Sequence, residues 1–113
     1  MRIYIAGKIT GLEDNIVSYK FKESFLNLRS KGYSVITPAV LLGFKGFEHE
    51  EYMHICYAMI DVCDAVFMQK DWQNSKGARM ELQYAADHQK EIFYEDEHTR
   101  EEEFPIIHGI TWR

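Results

Sequence analysis

The segment from residue 65 to residue 94, AVFMQKDWQNSKGARMELQYAADHQKEIFY, contains the pattern that decides the fold. It begins with a short apolar run, Ala65-Val66-Phe67-Met68, and ends with another, Glu91-Ile92-Phe93-Tyr94. Between the two runs, residues 76–89 carry apolar side chains at helical spacing. Two such runs joined through a helix predict a βαβ unit, in which both strands lie parallel in one sheet.

The same alternation of strand and helix extends toward the N-terminus. We predict strands at residues 2–6 and 33–36 and helices at residues 15–30 and 52–62, and we predict a loop at residues 39–50. Short connections between these elements favour right-handed crossovers and helices on both faces of the sheet. The sequence therefore predicts a three-layer α/β fold, flavodoxin-like or Rossmann-like. Its parallel sheet would have four to five strands and include the order 2-1-3-4.

The composition is that of a globular protein. The 113 residues are expected to form one domain, with a core at residues 1–95 and an acidic linker and docking C-terminal segment at 96–113. Residues 104–112 are too apolar for a free tail, so we expect them to pack on their own sheet or on a second subunit. A homodimer or larger homo-oligomer is therefore expected.

Charge and cysteine content limit the partners and the compartment. A net charge of −5 argues against a nucleic-acid-binding surface, which usually carries a basic stripe. The two cysteines lack the spacing of a zinc site, and free thiols favour a reducing, cytoplasmic compartment. The chain has no apolar stretch long enough for a signal peptide or a bilayer span, so no membrane partner is expected.

Three loops leave the predicted carboxyl edge of the sheet, after the first, second and third strands, and ligands of open parallel sheets bind beyond that edge. The second loop begins with Thr37-Pro38, and the first and third carry candidate binding residues. Gly7-Lys8-Ile9-Thr10-Gly11 follows the first strand and could hold a phosphate through its N–H groups, Lys8 and Thr10, or could be only a tight turn. Ser75 and Gly77 open the helix after the third strand, where free N–H groups attract anions. Ser75 could equally be an ordinary N-cap.

Two carboxylates and one aromatic residue are candidates for chemistry. Glu81 lies early in the same helix, where it is either a nucleophile or a residue that simply stabilises the helix dipole. Asp61 lies at the unfavourable, C-terminal end of the preceding helix, so it is either a proton donor or a solvated residue beyond the helix end. Trp72 could stack on a nucleobase or pack within its loop. The five histidines lack metal-site spacing, and neither a metal nor another cofactor is expected.

Three motifs together resemble the nucleoside 2-deoxyribosyltransferase family and its nucleotide-hydrolysing relatives. They are Ile3-Tyr4-Ile5-Ala6-Gly7, Asp61-x-x-Asp64-Ala65 and Ser75-x-Gly77-x-x-x-Glu81-x-x-x-Ala85, and the resemblance covers about residues 1–95. It implies that Glu81 attacks C1′ of the sugar, that Asp61 handles the base and that Tyr4 orients Glu81. It also implies homo-oligomers in which a neighbouring chain often completes the site.

Ser75 favours one of two branches of this resemblance, the one that acts on nucleotides. The transferases have an aspartate six residues before the nucleophile, whereas relatives that hydrolyse deoxynucleoside 5′-monophosphates have serine there and a similar first loop. The resemblance thus implies an N-glycosidase acting on (deoxy)nucleoside 5′-monophosphates or nucleosides through a covalent glycosyl-Glu81 intermediate. We expect Tyr4, Gly7, Asp61, Ser75 and Glu81 to line one cleft, with the two catalytic carboxylates about 5–10 Å apart.

Two other functions remain open on the sequence alone. One is a module of the same fold that binds or sequesters nucleotides without catalysis. The other is an interaction protein that uses the acidic residues 95–103 and the apolar segment after them.

Overall fold

The computed structural model describes residues 1–100, which form a four-stranded parallel sheet with helices on both faces. The strands are β1 (Arg2–Ala6), β2 (Ser34–Ile36), β3 (Ala65–Met68) and β4 (Glu91–Tyr94). The α-helices are α1 (Asp14–Ser30), α2 (His49–Asp61) and α3 (Lys76–Asp87). Two 3-10 helices span Pro38–Gly43 and Trp72–Asn74.

The order of the strands is β2-β1-β3-β4, which confirms the predicted α/β fold and the predicted order. β1 pairs with β2 on one side and with β3 on the other, with Tyr4 opposite Val66. Because side chains alternate along a strand, Ile3 and Ile5 enter the core under α1, whereas Tyr4 enters the core under α2 and α3. β1 therefore supplies a polar side chain to the layer between the sheet and the α2–α3 pair.

Residues 39–50, which were predicted to form a loop, contain most of a 3-10 helix and the first two residues of α2. Pro38 begins a 3-10 helix whose first turn is capped by the Thr37 hydroxyl, which accepts a hydrogen bond from the Ala39 N–H at 3.1 Å. α2 starts at His49, three residues before the predicted position. Its start is fixed by a capping box, in which the Glu51 carboxylate accepts a hydrogen bond from the Glu48 N–H at 2.7 Å.

Within residues 1–100, every helix is too short or too polar to cross a bilayer. The packing of residues 104–112 lies outside the described residues, so that packing and the homo-oligomer expected from it stay predictions.

Candidate active site

The first and third loops at the carboxyl edge of the sheet are in direct contact. The Lys8 Nζ donates to the Asn74 carbonyl at 3.1 Å, and the Lys8 backbone N–H donates to Asp71 Oδ1 at 3.1 Å. Asn74 precedes Ser75, the residue that caps α3. The loop after β1 and the N-terminus of α3 thus lie together, as expected for loops that leave the same edge of a parallel sheet.

A buried tyrosine and a buried glutamate form the centre of the site. The Tyr4 hydroxyl donates a hydrogen bond to Glu81 Oε2 at 2.5 Å. Tyr4 has no solvent exposure and Glu81 retains only 5% of its own. The two residues are 77 positions apart in the chain, and they meet because α3, which packs mainly over β3 and β4, also contacts the neighbouring strand β1.

Cys56, which sequence reasoning missed as a site residue, completes this centre. It lies on the buried face of α2, and its side chain shares hydrogen bonds with both Tyr4 and Glu81. Burial, together with the charge of Glu81, raises the pKa of the Cys56 thiol to about 12. Cys56 is therefore a neutral thiol beside the carboxylate. Its helical spacing indicated that it faces the core, but not that a carboxylate lies opposite.

Burial controls the protonation of Glu81. It raises the pKa of the Glu81 carboxyl from 4.5 to about 7, against the opposing effect of the hydrogen bonds from Tyr4 and Cys56. Burial and the charge of Glu81 raise the pKa of Tyr4 well above its usual value of 10, so its hydroxyl stays protonated and donates. A carboxyl whose pKa lies near 7 can change protonation state at neutral pH, which is a property typical of catalytic groups.

Ser75 caps α3, and a second helix begins beside it. The Ser75 hydroxyl accepts a hydrogen bond from the Ala78 N–H at 3.0 Å. A methyl group on Gly77 would lie 3.5 Å from Met53 Sδ and 3.8 Å from His49 Nε2, in the first turns of α2. The N-termini of α2 and α3 are thus neighbours, and both direct positive dipole ends toward this part of the surface.

Local structure accounts for both glycines of the first loop, Gly7 and Gly11. Gly7 is buried against Gln69, and a side chain at this position would collide with the Gln69 amide group. Gly11 has φ +91, in the region that favours glycine. The Ile9 carbonyl accepts the Leu12 N–H at 3.1 Å in the same turn. The tight turn is therefore real, and the exposed Thr10 lies at its tip.

Trp72 packs within the protein. Its side chain has no solvent exposure, and its Nε1 donates to the Thr99 hydroxyl at 2.9 Å. The Tyr94 ring lies 5.9 Å away, centroid to centroid. These contacts support the packing alternative for Trp72, because no face of the indole is exposed for a base to stack on.

Asp61 lies in a separate cluster of side chains. It is the last residue of α2, it is exposed, and its carboxylate accepts a hydrogen bond from the Tyr84 hydroxyl at 2.6 Å. Within residues 1–100, no hydrogen bond joins Asp61 to Glu81 or Tyr4. The physical reason is helical rise, since five residues beyond Cys56 move Asp61 about 7.5 Å along the axis, toward the opposite edge of the sheet.

A comparison with protein families shows which family the chain belongs to. Residues 1–94 match the family described as Domain of unknown function (DUF4406). The chain belongs to this family. A comparison with curated proteins finds no match. The fold of the DUF4406 chain is similar to that of the 2-desoxiribosyltransferase from Leishmania mexicana, with a TM-score of 0.62 and 23% identity.

The two comparisons cover different parts of the molecule. The DUF4406 match ends at the last residue of β4, so it includes every strand and α-helix that positions Tyr4, Cys56 and Glu81. The structural alignment covers 82% of the DUF4406 chain but 62% of the transferase. At this identity the likeness establishes a shared α/β fold.

Proposed function

We propose that this protein cleaves the N-glycosidic bond of (deoxy)nucleoside 5′-monophosphates or nucleosides, with Glu81 as the nucleophile. The single observation that supports this most is the buried Tyr4–Glu81 hydrogen bond, in a sheet whose carboxyl edge carries two contacting loops with groups for a small anionic ligand. A carboxylate withheld from water and aligned by a phenol has the two properties that attack on a sugar carbon requires.

The proposed reaction has two steps. One Glu81 oxygen forms a bond to C1′ while the bond from C1′ to the base nitrogen breaks, and the base leaves with the electron pair and takes up a proton. Water then attacks C1′ and displaces Glu81, which releases the sugar or sugar phosphate. A second base in place of water would give transfer instead of hydrolysis.

The carboxyl needs its ionised form for the first step. A pKa of about 7 leaves a substantial fraction of Glu81 ionised at neutral pH, and burial keeps that carboxylate poorly solvated and therefore reactive. Tyr4 orients it by holding Oε2. The kcat/KM of the enzyme is thus expected to rise with pH and to level off above about pH 7.

The 5′-phosphate is proposed to lie at the N-terminus of α3. Ser75, Gly77 and the loop carrying Lys8 and Thr10 would bind it. Glu81 follows Ser75 by six residues, which is about 9 Å of helical rise. A ribose 5′-phosphate can bridge this distance. The hydrogen bond from Ser75 to the phosphate adds length at one end, and the distance from Glu81 to C1′ adds length at the other.

The base is proposed to lie toward Tyr57 and Tyr84, with Asp61 as the group that handles its proton. The Tyr57 and Tyr84 rings are stacked, with centroids 4.2 Å apart and planes at 8°. The charge of Glu81 contributes to the raised pKa of Tyr57, and Tyr84 holds Asp61. Tyr57 thus lies within electrostatic range of Glu81, and its stacking partner Tyr84 donates to Asp61, which supports placing the base on this side of the nucleophile.

An assay of base release tests the proposal. The protein is incubated with the common nucleotides and nucleosides, and free base is detected by chromatography. Glu81→Gln should abolish release, whereas Glu50→Gln, an exposed glutamate in the first turn of α2, should not. If the wild type releases no base from any of these compounds, the proposed activity is wrong.

A non-catalytic nucleotide-binding module is the second candidate. The observation that favours it is the 5% exposure of Glu81, because a nucleophile must reach its substrate. Calorimetry on the same compounds distinguishes the two functions. Binding without base release would support the module, and release would support the enzyme.

A further inference from the structure

A lysine on α1 reaches across to the loop after β1. The Lys20 Nζ donates to the Lys8 carbonyl at 2.8 Å and lies 3.2 Å from Asp71 Oδ2. The other oxygen of Asp71 accepts the Lys8 N–H at 3.1 Å. The Lys20 ammonium therefore binds the Lys8 carbonyl, and the Asp71 carboxylate of the same ion pair binds the Lys8 N–H.

The ion pair rests on a buried amide. Gln69 is 2% exposed, and its Oε1 accepts a hydrogen bond from the Lys20 Nζ at 2.7 Å. Its Nε2 donates to the Ser24 hydroxyl at 2.9 Å and to the Lys20 carbonyl at 3.0 Å. The Gln69 N–H continues the sheet by donating to the Ala6 carbonyl at 2.8 Å. The Lys20 ammonium is thus held from several sides.

Partial burial shields this pair from water, and the desolvation that lowers the pKa of the Lys20 ammonium is opposed by the charge and the hydrogen bond of Asp71. The side chains of Lys20 and Asp71 are 19% and 26% exposed. Exposed pairs often contribute nothing measurable because water screens them and their side chains lose entropy. Charge-assisted hydrogen bonds are shorter and stronger than neutral ones. The pair can therefore hold a loop in one conformation.

We propose that Lys20 and Asp71 are positioning residues that fix the loop at residues 7–11 for the substrate. They act through the main chain of Lys8, whose side chain then reaches Asn74 beside the start of α3. This inference rests on the proposed function, which assigns the substrate phosphate to that loop. Neither residue needs to touch the substrate.

Hydrogen exchange and steady-state kinetics together test the proposal. In Lys20→Met, amide exchange of residues 7–11, measured by NMR, should be about tenfold faster, because a charge-assisted hydrogen bond is lost. The KM for a nucleoside monophosphate should rise about tenfold with kcat changed less than twofold, since the loop contributes binding. Lys22→Met, an exposed lysine on the same helix, should change neither quantity.

Asp71→Asn provides a second variant if Lys20→Met fails to fold, because it keeps the shape and removes the charge. It should accelerate hydrogen exchange of the same amides, those of residues 7–11. Unchanged exchange in a folded variant overturns the proposal, and so does faster exchange with an unchanged KM. If the wild type releases no base, the proposed function fails, but the exchange measurement and the affinity for a monophosphate by calorimetry still decide the role of Lys20.

Discussion

Replacing Glu81 by glutamine should make the stability of the fold less sensitive to pH. The pKa of the Glu81 carboxyl rises from 4.5 to about 7 on folding, because the side chain is buried. Between these two pH values the folded protein binds this proton more tightly than the unfolded chain does, so stability falls as the pH rises. At about 1.4 kcal/mol per pH unit, the ionised carboxylate destabilises the fold by about 3 kcal/mol above pH 7.

Glutamine cannot ionise, and its carbonyl oxygen can still accept the hydrogen bond from Tyr4. Its amide N–H groups are new buried donors, which costs about 1–2 kcal/mol at every pH. Glu81→Gln should therefore be slightly less stable than the wild type at pH 5 and more stable at pH 8. The difference in the free energy of unfolding between the two proteins should change by about 2–3 kcal/mol over this range.

Urea denaturation followed by circular dichroism at pH 5 and pH 8 measures this difference directly. Glu50→Gln provides the control, and its difference from the wild type should be small and similar at both pH values, because residue 50 is exposed. If the Glu81→Gln and wild-type stabilities change in parallel, the carboxyl is not desolvated and the reasoning on the nucleophile is refuted.

Three further substitutions test the site. Cys56→Ala removes a hydrogen bond to Glu81 and should raise the pKa of that carboxyl further in an NMR titration, whereas Cys56→Ser should not; no change with alanine would contradict the assigned contact. Ser75→Ala should lower stability by about 1 kcal/mol and, by calorimetry, weaken binding of monophosphates but not of nucleosides; equal loss for both ligands would leave the serine as a cap only. Gly7→Ala should lower stability by about 1–3 kcal/mol in thermal unfolding, because its methyl group collides with a neighbour, whereas Gly43→Ala meets open space; equal effects would disprove the close packing.

The architecture was predictable because local patterns coincide with the final elements. The apolar runs at residues 2–6 and 65–68 are strands, and the periodicity after Ser75 is α3. The predicted end of α3 was two residues late, since Gln89 has φ +61 and cannot continue a helix. The start of α2 was placed late because its cap is a pair of glutamates in a mixed segment with no clear periodicity.

The site was less predictable because it depends on contacts between distant elements. Periodicity shows which face of a helix is buried, but not which residue of another helix it meets, so Cys56 was missed. The buried Trp72 donates a hydrogen bond to Thr99, which is 27 residues later in the chain. The role proposed for Glu81 rests on a motif, whereas its contact with Tyr4 is visible only in the folded structure.

The central position of β1 has a consequence for the order of folding. Both partners of β1 follow it in the chain, and the Arg2 N–H bonds to Asp64, 62 residues later. During synthesis, this apolar strand leaves the ribosome long before β3 exists to cover its second edge, which favours slow folding and leaves an unpaired strand edge exposed in the meantime. A nascent chain that stops before α3 contains Tyr4 without Glu81, so the pair forms only after α3 has been made.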